Sequence, residues 1–145
     1  MQNMVRKMAV AGAVVAVTAV SGCGLREAII EQGNGHAKAV SYESGLEGKN
    51  DADAKLPGWV PDGARQVVEV IRTTGTERIL KYRPEGTTLP ALCTPGNAEA
   101  APPTLTADWW PAGEHKRTDK VCDGWHVAIE QGAVYAYRAE SLLGN

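Results

Sequence analysis

The stretch KVCDGWHVAIEQGAVYAYRA, Lys120 to Ala139, decides how the rest of the chain is read. Apolar and polar residues alternate on either side of Gln131-Gly132, the pattern of two half-buried strands. A two-residue connection ending in glycine favours a tight hairpin, although Asn or Asp before the glycine is the stronger signal. That turn sets Ile129 opposite Val134, Val127 opposite Ala136 and Trp125 opposite Arg138. This set is the better core face, with the Arg138 stem lying over Trp125. His126, Ala128, Tyr135 and Tyr137 occupy the other face. Gly124, in CDGWH, suits a bulge or a close backbone approach.

A second hairpin precedes the first. RQVVEVIRT, Arg65 to Thr73, is rich in β-branched residues, Gly75 supplies a turn, and TERILKYR, Thr76 to Arg83, reads as the partner strand. Val68, Val70, Leu80 and Tyr82 are expected to form its inner surface. Between the hairpins, Pro84 to Thr118 holds six prolines and little strand or helix signal, with a single turn at Thr106–Trp110. Structureless stretches of that length are uncommon unless functional or stapled, and Cys93 offers the staple. Leu56-Pro57-Gly58-Trp59-Val60-Pro61 gives an extended entry to the folded part. The expected fold is α+β or mainly β: a small antiparallel sheet of two hairpins with a long Pro-rich connection and one disulfide, over residues 56–140. A core of about 85 residues is limited, so the disulfide matters.

Upstream, LREAIIEQG, Leu25 to Gly33, reads as two turns of helix. NGHAKAVSYESGLEGKNDADAK, Asn34 to Lys55, is Gly-rich and polar. Such composition does not bury enough surface to offset ordering. Residues 23–55 are therefore expected to be a polar tether with a reach of a few tens of Å, at about 5–6 Å × √n. Residues 141–145 are a short tail.

The first 22 residues have the marks of a signal peptide: Arg6 and Lys7, an uncharged apolar run Met8–Val20, then small residues. The run is too short to span a bilayer, which takes about 20 residues. Val20-Ser21-Gly22-Cys23 resembles the lipobox of bacterial lipoproteins. The resemblance implies diacylglyceryl transfer to the Cys23 sulfur, cleavage before Cys23 and a membrane anchor. A plain secreted protein, or an N-terminal membrane anchor, with an incidental Cys23 is the alternative.

With Cys23 set aside, Cys93 and Cys122 remain of the three cysteines. Outside the cytoplasm such a pair reads as a disulfide, and closing a loop of about 30 residues contributes roughly 3–4 kcal/mol. Free thiols or metal ligation are the alternatives, but a metal site usually brings a CxxC or a tight His cluster. The whole chain carries a formal −2. Removing Arg6 and Lys7 with the signal peptide leaves 13 Lys and Arg against 17 Asp and Glu. The charges are mixed, with no basic stripe, which argues against nucleic acid as a partner and against polybasic membrane binding beyond the lipid.

His115 and His126, with Asp108, Asp119 and Asp123, invite a metal or acid–base reading, but their spacing matches no ligand pattern. Solvated loop charges and one strand histidine are the simpler account. Ser41, Ser44 and Ser141 lie in no G-x-S-x-G elbow, and Gly33-Asn34-Gly35 lacks the context of a phosphate loop. The chain has four tryptophans and no phenylalanine. Trp59 and Trp125 suit the core. Trp109-Trp110 stand side by side before Pro111. Either one ring is exposed to stack on a sugar or seat a partner, or the loop folds over the sheet as a lid that buries both. A core without phenylalanine favours the lid.

LPGWVPDGA (Leu56–Ala64), RTTGTERIL (Arg72–Leu80) and CDGWHV (Cys122–Val127), with the lipobox, resemble small surface lipoproteins of high-GC actinobacteria. The resemblance implies a lipid-anchored domain on the extracytoplasmic side of the cell membrane. It carries over no catalytic residue. The functional expectation is a non-enzymatic binding or accessory module of the envelope, with Trp109, Trp110 and His126 as candidate binding residues and an envelope protein or glycan as ligand. No metal or cofactor is expected beyond the acyl lipid on Cys23. The alternative is a small envelope enzyme or inhibitor using His126 or His115 with a nearby aspartate.

Overall fold

Gln131 and Gly132 both adopt positive φ, 49° and 75°, the mirror-image turn whose twist matches that of the strands it joins. It links β7 (Trp125–Glu130) to β8 (Ala133–Arg138), in a register running from Glu130 opposite Ala133 to His126 opposite Tyr137. Val127 faces Ala136 and Ile129 faces Val134, as the sequence implies. The computed structural model describes residues 26–30, 36–86, 88–98 and 101–140. Residues 1–22, expected to be a signal peptide, Cys23 and the expected tail 141–145 lie outside the described residues.

The described chain is one open antiparallel sheet. Its strands are β1 (Arg26–Ile30), β2 (Ala37–Ser44), β3 (Arg65–Arg72), β4 (Arg78–Arg83), β5 (Thr94–Pro95), β6 (Lys120–Cys122), β7 and β8. Their order is β1-β2-β3-β4-β8-β7-β6-β5. The two expected hairpins are present and meet edge to edge through β4 and β8. The fold is mainly β, with one short helix, α1 (Gly45–Asn50), and a 3-10 turn at Glu114–Arg117.

Three expectations need correction. The supposed bulge at Gly124 is a turn: Asp123 and Gly124 have φ of 49° and 80° and connect β6 to β7. An Asp-Gly pair is the stronger form of the signal that located the β7–β8 turn. Second, Val68 and Val70 do not share a face with Leu80 and Tyr82. Glu69 pairs with Leu80 and Val70 with Ile79. Gln66, at φ 49°, sits in a bulge between Arg65 and Val68 that shifts the register. Val67, Ile71, Leu80 and Tyr82 join the larger core, and Val70 and Ile79 a smaller one on the opposite face.

The third correction concerns the tether. Arg26–Ile30 is a strand and not a helix, and residues 37–50 are β2 and α1. Val40 and Tyr42 are buried in the main core, and β2 fills the place between β1 and β3. The domain therefore does not start at Leu56. Ser44 caps α1 by accepting from the Glu47 backbone N–H at 3.2 Å, and Glu47 reaches back to the Glu43 N–H at 3.0 Å, close to a capping box. The glycines that made this stretch look like a linker permit close packing: a Cβ on Gly45 would strike the Pro61 carbonyl, and one on Gly48 would strike Leu56 and Tyr42. The Tyr42 hydroxyl donates to Asp51 at 2.6 Å, and that bond holds the Asp51 carboxyl below the usual range.

Residues 51–64 then cross the main core face, burying Ala54, Leu56, Trp59, Val60 and Ala64. Trp59 meets Trp125 edge-on at 6.1 Å. Cys93 and Cys122 form a disulfide with Cα atoms 4.2 Å apart, closing the far corner of this core. Ile129 departs from the expected core set: it is 41% exposed near the end of its strand.

One acid lies within the main core. Glu69 has no exposed surface, and its neighbours across the sheet are Val40 and Leu80. Burial pushes its pKa from the ordinary 4.5 up to about 8, against the pull of Arg78 at 3.4 Å.

Two outcomes follow. Tyr42→Ala should lower the unfolding free energy by about 3 kcal/mol in urea titration, whereas a tether residue should cost under about 0.5 kcal/mol. For Glu69, the unfolded chain ionises near pH 4.5 while the folded chain keeps its proton until about pH 8. Stability should therefore fall as pH rises through that window, by a few kcal/mol at most. Glu69→Gln should flatten this part of the profile, which urea midpoints at pH 4 and pH 8 will show.

Candidate functional site

The Pro-rich connection is pinned to the sheet by a buried carboxylate. Glu77, just before β4, accepts from Thr104 Oγ1 at 2.9 and 3.0 Å and from the Leu105 backbone N–H at 2.6 Å. The backbone N–H groups of Thr76 and Glu77 in turn donate to Glu140 at 3.0 and 2.9 Å, which holds the Glu140 carboxyl below its usual range. Leu105 is thereby set into the smaller core with Ala37, Val70 and Ile79. From this point the loop runs across the second sheet face toward β8.

Trp109 and Trp110 follow, on a turn closed by the Trp110 N–H to the Ala107 carbonyl at 3.0 Å. Their rings meet edge-on at 6.3 Å. Trp110 also packs edge-on against Tyr135 at 6.0 Å and Tyr137 at 6.3 Å. The two expectations for this pair therefore combine. The loop does fold over the sheet, yet both tryptophans remain half-buried rather than sealed.

Tyr137 is the centre of the cluster and is fully buried. His126 stacks on it at 5.0 Å, and His115 meets it edge-on at 6.3 Å. His115 is buried and His126 half-buried. The strand alternation that puts His126, Tyr135 and Tyr137 on one face thus brings His126 into a common cluster with Trp110. Lys81, on β4, holds its Nζ 5.3 Å from the centre of the half-buried Tyr135 ring, a cation–π contact. Asp119 is exposed beside Lys120, and Asp123 sits in the β6–β7 turn.

The carboxylates gathered near the aromatic cluster are glutamates. Glu114, in the 3-10 turn, is fully buried, and its Oε2 accepts from Arg117 Nη1 at 2.9 Å. Arg117 also lies 3.5 Å from Glu130 at the end of β7. Burial chiefly, and then the hydrogen bond and like charge of Glu130, push Glu114 above the usual carboxyl range, while Arg117 pulls it down. The arrangement is one guanidinium between a buried and a half-buried glutamate. Because Glu114 is sealed from solvent, its contact with Arg117 fastens the loop to the sheet and does not present an acid outward.

Sequence reasoning passed over Lys81, Glu77, Glu114, Arg117 and Glu130. The spacing of Glu114 and Arg117, three residues apart, is the one local signal that marks a paired acid and base. The other partners are joined only by the fold. Among the described residues, no three His, Cys, Asp or Glu side chains come together as a metal would require. None of the described helices is long and apolar enough to cross a membrane.

No known protein family, curated protein or solved structure matches this chain. Its function is argued from its own residues.

Removing Arg117 leaves two carboxylates with no counter-charge. Arg117→Ala should cost little at pH 4, where Glu114 holds its proton in both states. At pH 8 it should cost more, because the buried Glu114 then lacks its counter-charge. Urea unfolding at the two pH values checks the direction.

Proposed function

We propose that this protein is a membrane-anchored extracytoplasmic lipoprotein whose domain is a non-enzymatic binding or accessory module of the cell envelope. The location rests on Val20-Ser21-Gly22-Cys23 behind a short apolar run. The Cys93–Cys122 disulfide fits an oxidising compartment. The binding role rests on one observation: Trp109, Trp110 and Tyr135 form a half-buried aromatic step with Lys81 beside it. Half-open aromatic faces stack on sugar rings or seat apolar anchors of a partner, and a neighbouring cation favours ligands with negative character. An envelope glycan is the favoured ligand, with an envelope protein second. An enzyme built on His126 and His115 has less support, since His115 is buried against Tyr137.

Expression of the full chain in a lipoprotein-processing bacterium tests the anchor. The wild-type protein should take up labelled fatty acid and sediment with membranes, and Cys23→Ala should do neither. Titration with soluble cell-wall glycan fragments should perturb tryptophan fluorescence. Trp109→Ala/Trp110→Ala should lose at least about 1 kcal/mol of binding, the usual range for an aromatic contact. Acylation of Cys23→Ala, or equal binding by the double variant, would overturn the respective half of the proposal.

A further inference from the structure

The strand register shows the direction in which β1 enters the sheet. Arg26, where β1 begins, is opposite Ser41, which is opposite Val68, then Lys81, then Tyr135. These positions are at mid-strand, and β1 runs from them toward Ala37; three residues the other way, at the end of the sheet toward which the chain before Arg26 leads, Ser44 lies opposite Arg65 and Arg65 opposite Arg83. The start of α1 and the Gln131-Gly132 turn are at this end too. The Thr73–Thr76 turn and Glu140 are at the other. From Cys23 to Arg26 is three residues, a span of about 10 Å at most.

This near end is unusual in two respects. Leu46 is 50% exposed and Ile129 is 41% exposed, and both lie there. They sit on opposite sides of an end about 19 Å wide, counting β2 to β7 at 4.8 Å per strand. Leu92, the other exposed large apolar side chain among the described residues, precedes Cys93 at the far corner. In addition, Arg65 and Arg83 are directly opposed, and both are exposed with no ion pair among the described residues. Opposed like charges weaken a sheet, and a phosphate placed between two guanidinium groups relieves that repulsion.

We propose that the sheet end carrying Leu46, Ile129, Arg65 and Arg83 rests on the headgroup layer of the bilayer that holds Cys23. The proposal builds on the lipoprotein reading and gives the domain an orientation. Glu43 and Glu85 are at the same end, Lys49 is paired with Asp62, and Arg117 with Glu114 and Glu130. The attraction therefore comes from apolar insertion and guanidinium–phosphate hydrogen bonds rather than from net charge.

The test uses the full acylated chain in vesicles of phosphatidylglycerol and phosphatidylcholine with a nitroxide on the headgroup. Cys93 and Cys122 are joined and Cys23 is acylated, so a fluorophore reports from a single introduced thiol. Gln131→Cys marks the near end and Thr74→Cys the far end, about 23 Å away along the strands. Quenching is expected at position 131 and not at 74. Leu46→Glu/Ile129→Glu, which changes only exposed side chains, should bring position 131 down to the level of 74 with acylation retained. Equal quenching at both ends of an acylated protein overturns the orientation alone. Mass spectrometry showing Cys23 free of lipid overturns the lipoprotein reading and this proposal with it.

Discussion

The central strands of this sheet carry large apolar side chains on both faces, and neither face is stable in water. Val67, Leu80, Tyr82 and Val134 point to one side, and Val70, Ile79 and Tyr137 to the other. Antiparallel sheets often leave one face to solvent, but this one has no face to spare. Everything else in the fold is a means of covering it. Because the described residues form only one short α-helix, the covers are long connections: residues 51–64 on the first face and 101–118 on the second. The stretches richest in turn residues are therefore as much part of the core as the strands.

Irregular covers need anchors, since they lack the repeating hydrogen bonds of a helix. Carboxylates supply several of them. Glu77 holds the backbone at Leu105, Glu114 joins the 3-10 turn to Arg117 and Glu130, and Arg78 binds the carbonyls of Ala54 and Lys55 above Glu69. A buried acid is costly when ionised. Glu69 and Glu114 answer that cost by holding their protons more tightly than an exposed carboxyl does. Trp109 and Trp110 of the aromatic step are displayed on one of these anchored covers, against Tyr135 of β8, so its shape depends on polar contacts as well as on packing.

Much of the sheet was legible in the sequence, and the parts that were not have physical reasons. The Gln131-Gly132 turn and the alternation around it specify the β7–β8 register to the residue. Asp123-Gly124 carries the same turn chemistry, but the apolar residues on either side of it continue one strand-like pattern and mask the turn. The faces of β3 were obscured because both are apolar and the Gln66 bulge breaks the period of two. β2 and α1 escaped notice because they pack with small residues. Ala37, Gly45 and Gly48 are buried, yet each adds little to a hydrophobicity count. Ser44 and Glu47 did carry a capping signal. At the site, strand alternation grouped His126 with Tyr135 and Tyr137, whereas Lys81 and the Glu114–Arg117–Glu130 set are brought near them by chain segments far apart in sequence.

The disulfide also bears on how the chain finds its topology. The contact that unites the two hairpins, β4 with β8, closes a connection of about 50 residues between Arg83 and Ala133. With Cys93 joined to Cys122, the path along the chain and across the bridge shortens to about 20 residues. By the logarithmic dependence of closure entropy on length, that lowers the cost of the encounter by about 0.8 kcal/mol. It also lowers the effective contact order of the strand pairing with the greatest sequence separation among the described strands. Oxidation before the hairpins meet is thus the quicker route to the fold, and the bridge acts as a shortcut in assembly as well as a brace in the finished domain.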